Sequence, residues 1–129
     1  MAARRMKRGR LVISLSKATL GVFGILATVG SAFAHSQLLA STPASGSVVT
    51  APTELVLSFS EAIEPTLSKA ELQCAGGKIS GLGQPRVDAN GKTLRITLPP
   101  LPHGKCEVSW IAVSVDGHRT HGEFTFTDR

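Results

Sequence analysis

The chain has 129 residues, with fourteen Lys and Arg against nine Asp and Glu and a formal net charge of +5. Six of the basic residues (Arg4, Arg5, Lys7, Arg8, Arg10 and Lys17) fall within the first 34, so residues 35–129 carry eight basic and nine acidic side chains and are near neutral. That balance removes the main support for nucleic-acid binding, and 95 residues suffice for one domain with a modest core but not for two.

Residues 1–34 read as an export signal that is removed. A basic head precedes an apolar stretch from Leu11 to Phe33, and Ala32-Phe33-Ala34 has the spacing of small residues that a signal peptidase cleaves after. The apolar stretch approaches membrane-spanning length, so an uncleaved anchor is the alternative. Gly21, Gly24 and Gly30, with the alanine-x-alanine end, favour cleavage. Arg4-Arg5 lacks the following residues of a twin-arginine signal, which leaves the general secretory route. Either route ends outside the cytoplasm, with His35 as the new N-terminus.

The exported part alternates. Leu55, Leu57 and Phe59 fall on one face of a strand, with Val56, Ser58 and Ser60 on the other. The pattern returns at Ala70, Leu72 and Cys74, at Leu94, Ile96 and Leu98, at Cys106, Val108 and Trp110, and at Phe124 and Phe126. Turns are expected at Pro43 to Gly46, Ala51-Pro52, Gly76-Gly77, Asn90-Gly91 and Pro99 to Gly104, with Asn90-Gly91 forming a tight hairpin. No segment of the exported part has a long helical period. Short strands at this spacing predict an all-β fold, a Greek-key barrel or an antiparallel sandwich. Trp110 reads as core.

Cys74 and Cys106 fall on the inward faces of two predicted strands. Outside the cytoplasm they form either a disulfide or two buried thiols. A thiolate metal site is disfavoured because no Cys-x-x-Cys pair is present.

His35 carries the sharpest chemical signal. After cleavage its α-amine and its Nδ1 close a six-membered chelate ring on one metal ion, which no internal histidine can do. A second cluster, Ser114-Val-Asp-Gly-His118, places a carboxylate and an imidazole two residues apart. In an extended segment Asp116 and His118 project to the same side, and Gly117 lets the backbone bend. Alone, Asp-Gly-His reads as a polar turn. With His35 it completes a nitrogen-rich set with one oxygen, which suits copper(II). Copper(I) prefers sulfur, and both methionines, Met1 and Met6, lie in the signal. His103 sits in a proline-rich loop and reads as a solvated surface residue, whereas His121, an odd offset from His118, points to the opposite face of an extended chain.

Several ordered motifs then resemble one family. They are His35-Ser-Gln-Leu-Leu-Ala-Ser-Thr-Pro-Ala-Ser-Gly-Ser-Val-Val, Ala51-Pro52, Leu57-Ser-Phe-Ser-Glu61, Val108-Ser-Trp110, Ser114-Val-Asp-Gly-His118 and Gly122-Glu-Phe-Thr-Phe126. Together they resemble the CopC/PcoC-type periplasmic copper-binding proteins, which are also found fused to or encoded beside membrane copper-transport domains.

The resemblance implies a small Greek-key β-barrel of cupredoxin-like or immunoglobulin-like character in the periplasm. It implies one copper(II) ion at one end, held by His35, Asp116 and His118. Glu61 matches an acidic residue expected to orient those ligands by a hydrogen bond. It further implies a non-enzymatic monomer that passes copper to an inner-membrane transporter of the CopD type or to another carrier, in copper resistance or uptake. Two departures stand out. The stretch Ala62 to Lys69 has no methionine where some relatives carry a methionine-rich copper(I) loop, and Cys106 stands where the family often has tyrosine.

Two other readings compete. An N-terminal histidine with a second histidine also resembles the copper centre of polysaccharide oxygenases, but Asp116 would fill a position that such chemistry keeps open. A plain exported β-sandwich interaction module, with incidental histidines, is the remaining alternative.

Overall fold

A computed structural model describes residue 9 and residues 36–129. The export signal, its cleavage and His35 lie outside the described residues. Strands β1 (Leu38–Thr42), β2 (Val48–Val49), β3 (Glu54–Phe59), β4 (Lys69–Cys74), β5 (Gly77–Lys78), β6 (Arg86–Val87), β7 (Thr93–Thr97), β8 (Gly104–Val113) and β9 (Arg119–Asp128) form two sheets, with no helix among the described residues. Their orders are β1-β3-β7-β6 and β2-β9-β8-β4-β5. All pairings are antiparallel except that of β2 with β9.

The alternation explains the layers. From the first sheet Leu55, Leu57, Phe59, Leu94 and Ile96 turn inward. From the second come Leu72, Cys74, Cys106, Val108, Trp110, Ala112, Phe124 and Phe126, and one apolar core results. Phe59 meets Trp110 edge-on, with ring centroids 5.3 Å apart. Cys74 faces Cys106 in the β4–β8 register, and the two are joined as a disulfide.

Two turns differ from the sequence reading. Asn90-Gly91 lies within the five-residue connection 88–92 between β6 and β7, not in a two-residue hairpin. Asn90 Oδ1 accepts from the N–H groups of Lys92 and Thr93, which stabilises the wider loop. The tight turn between β4 and β5 is Ala75-Gly76 rather than Gly76-Gly77, because Cys74 pairs with Gly77. Both turn residues have positive φ, 49° and 78°, the requirement of a type I′ hairpin.

Gly122 sits across from Trp110 in the β8–β9 register. A Cβ there would lie 2.7 Å from Trp110 Cζ2. Gly122→Ala is therefore expected to displace the indole and cost about 1–3 kcal/mol through overpacking. A thermal melt checks this, and an unchanged Tm would show that the ring shifts freely.

Candidate metal centre

β8 and β9 form a long hairpin whose arms end at Val113 and Arg119. Its tip, residues 114–118, is held from inside and from outside. Ser114 N–H donates to His118 O at 2.8 Å, and Gly117 N–H donates to Ser114 O at 2.8 Å. Gly117 has a φ of +90°, a conformation that only glycine adopts without strain. Externally, Val115 N–H donates to Ala62 O and Glu64 N–H donates to Val113 O, at 3.1 and 2.7 Å. These bonds fix the tip to the segment that follows β3 and carries Glu61.

Asp116 and His118 come together at this tip, with His118 Nδ1 3.0 Å from Asp116 Oδ2. The cause differs from the extended segment that their spacing suggested: a closed turn, not a pleat, brings them together. The Asp116 carboxylate also accepts from the Ser114 hydroxyl in a short hydrogen bond and from His118 N–H at 3.3 Å. The Ser114 hydroxyl, then His118, hold its pKa down at about 2, so it remains an anion through the neutral range. Both side chains are about half exposed, 54% for His118 and 49% for Asp116, and therefore accessible to an ion from solvent.

This donor set fits a divalent metal. The 3.0 Å between the imidazole nitrogen and the carboxylate oxygen is that of a hydrogen-bonded pair, and once the proton between them is lost both atoms are free to act as nitrogen and oxygen donors. Two donors do not make a closed site, and no group of three or more His, Cys, Asp or Glu suited to a metal occurs among the described residues.

The segment following His35 is anchored at the same end of the sandwich. Ser36 O accepts a 2.7 Å hydrogen bond from Thr120 Oγ1, two residues beyond His118. Gln37 N–H donates to Ser60 Oγ and Gln37 O accepts from Ser60 N–H, both at 2.9 Å, next to Glu61. Glu61 is exposed and, with Ala62, Ser114, Val115 and Asp116, lines a depression of about 210 Å³. The structure thus brings Glu61, Asp116, His118 and the residue bonded to His35 to one end.

The other two histidines lie elsewhere. His121 is on the outer face of β9, opposite Ile111 and beside Lys69, Glu71 and Glu123. His103 borders a separate depression with Pro99, Pro100 and Asp128. Ser114, Ser60 and Thr120 also shape this end of the sandwich through their hydroxyl contacts. Only Ser114, two residues before an aspartate in a turn, had a local signal for its contact.

Comparison with known proteins adds the family. A model of the CopC domain matches residues 38–129. Copper resistance protein C of Escherichia coli is 34% identical over 122 residues, covering 88% of this chain and 96% of that protein. Its counterpart from Xanthomonas campestris pv. juglandis is 37% identical over 106 residues, covering 75% and 82%. The crystal structure of PcoC, a methionine-rich copper resistance protein from Escherichia coli, superposes with a TM-score of 0.67 at 34% identity, covering 74% of this chain and all of that one. With its sandwich and most of its sequence matched, the chain belongs to the CopC family.

Proposed function

We propose that this protein is a periplasmic copper(II) carrier that binds one ion through His35, Asp116 and His118, buffers it, and delivers it to an inner-membrane transporter of the CopD type or another carrier. CopC proteins are copper-binding resistance proteins rather than enzymes, and the chemistry assigned here is binding and release. The observation that carries the reading is the Asp116–His118 pair, 3.0 Å apart, at the end where Ser36 and Gln37 are anchored.

Each residue has a separate task. Export and cleavage free the His35 amine, which with its own imidazole supplies two nitrogens. The Asp116–His118 turn supplies a nitrogen and an oxygen already aligned, which lowers the ordering cost of binding. Glu61, lining the same depression, orients the donors. Nitrogen and carboxylate donors without sulfur favour copper(II) over copper(I). The chain's methionines, Met1 and Met6, both precede the cleavage position, which supports a single copper(II) site rather than a pair specific for two oxidation states.

The test is a competitive copper(II) titration of the exported protein, its N-terminus verified by intact mass, beside a variant with one glycine inserted between Ala34 and His35. The processed protein should show one tight site. The inserted glycine moves the amine off His35 and should weaken binding by about a hundredfold or more, the gain that tethered donors give. Equal, weak binding in both would sink the assignment.

A further inference from the structure

The outer edge of β9 is covered along only part of its length. The short β2 pairs with Thr127 and Asp128, and Gly46 N–H donates to Thr125 O at 2.7 Å. From Arg119 to Phe124 the strand has β8 on one side and, among the described residues, no strand on the other. Three bonds fix which peptide groups face that open side. Thr125 O accepts from Gly46 and Thr127 N–H donates to Ser47 O, so odd-numbered residues of β9 turn their N–H and C=O away from β8. Ser114 N–H donates to His118 O, so the even-numbered ones turn toward it. Arg119, His121 and Glu123 thus present backbone donors and acceptors at an open edge, a template for another strand.

We propose that this edge is a self-association surface, on which β9 of a second copy pairs antiparallel about a two-fold axis through His121. Charge and symmetry select the register. Centring the pair on His121 sets Arg119 opposite the partner's Glu123, and Glu123 opposite the partner's Arg119. All three side chains are exposed. Within one chain Arg119 and Glu123 stand across from Val113 and Ser109, and neither has an ion-pair partner among the described residues. The second copy supplies both counter-charges. Opposite charges directly across a strand pair stabilise it, whereas like charges, which would protect an edge, repel. Every facing pair in this register is formed by the outward-turned residues, so each exchanges both N–H···O bonds. Beside the same edge Leu39, 65% exposed, borders a groove of about 460 Å³ with Leu38, Ala40, Glu123 and Phe124. A copy seated on β9 lies along that groove and removes apolar wall from water. The contact is isologous and closes at a dimer, a departure from the monomer that the family resemblance implies.

The experiment is sedimentation of the metal-free exported protein from about 1 µM to 1 mM, the range of weak specific association, so it is independent of the copper(II) reading. Wild type should pass from one chain toward two. Arg119→Glu and Glu123→Arg each set like charges opposite one another at both ends of the pairing and should weaken self-association by about tenfold to a hundredfold. An equimolar mixture of these two variants restores both oppositions and should dimerise at least as tightly as wild type. Where a variant does not fold, hydrogen exchange on wild type decides: the amides of Arg119, His121 and Glu123 should exchange more slowly at the high concentration than at the low one.

A wild type that stays a single chain throughout would overturn the proposal. Self-association that both charge variants retain in full, a mixture no tighter than either variant alone, or protection confined to residues outside β9 would overturn it equally.

Discussion

Replacing both Cys74 and Cys106 by alanine is expected to destabilise the domain by about 3–4 kcal/mol and to lower its Tm by roughly 15 °C or more. The bridge spans a sequence separation of 32, and its chain-entropy contribution grows with the logarithm of that loop. A second term adds to it. Both cysteines are core residues, at 3% and 0% exposure, so alanine leaves unfilled volume beside Leu72, Val108 and Phe126. A core of this size has little reserve, since a domain of fewer than 100 residues buries a smaller fraction of its surface than a larger one.

The measurement is chemical denaturation of wild type and the double variant, with a third arm in which the wild-type bridge is reduced under denaturing conditions and refolding is followed in reductant. The reduced wild type isolates the entropic part, because it keeps the sulfur volume. A loss below about 1 kcal/mol in both arms would show that the β4–β8 pairing holds the sheet without the bridge. The disulfide is remote in function from the Asp116–His118 turn, so copper affinity measured on folded protein should be nearly unchanged.

The parts of this fold that were legible in the sequence are those where local pattern and burial agree. Leu55, Leu57 and Phe59 alternate with the less buried Glu54, Val56 and Ser58 and occupy the inward face of β3, and a period of two likewise places the inward residues of β4, β7, β8 and β9. β1 was not legible for a physical reason. Leu38-Leu39-Ala40 breaks the period of two, and the strand carries a register shift between Leu38 and Ala40 that leaves Leu39 outward and 65% exposed. The two-residue strands β2, β5 and β6 are too short for any period.

The candidate site divides the same way. Asp116 and His118 were legible because their chemistry and spacing are local, although a turn and not an extended strand aligns them. The Ser36–Thr120 bond spans 84 residues and the Gln37–Ser60 bond 23, and no local pattern encodes such contacts. Nothing in the sequence marks Ser36 as fully buried either.

Asp116→Ala and His118→Ala are each expected to weaken copper(II) binding by about a hundredfold or more, beyond what an orienting residue contributes, with little change in Tm for His118→Ala and a lower Tm for Asp116→Ala, whose carboxylate accepts from the Ser114 hydroxyl and from His118 N–H. The His118 side chain is about half exposed and lies at a hairpin tip outside the core, so its removal leaves the packing intact. The double variant should lose less than the product of the two single losses, since each residue aligns the other. Glu61→Gln should cost about tenfold.

The pH dependence separates the donors. The folded pKa of Asp116 is lowered from 3.8 to about 2, so the stabilisation from its ionised form is present above about pH 4 and is lost as pH falls toward 2. Copper release between pH 7 and 5 must then come from protonation of nitrogen donors, which must be deprotonated to coordinate. Affinity measured across that range should fall with a slope set by amine and imidazole, and Asp116→Ala should lower the whole curve without changing its slope. A slope that flattens in Asp116→Ala would mean that the carboxylate itself titrates with the metal and would remove the basis for treating it as a fixed anionic ligand.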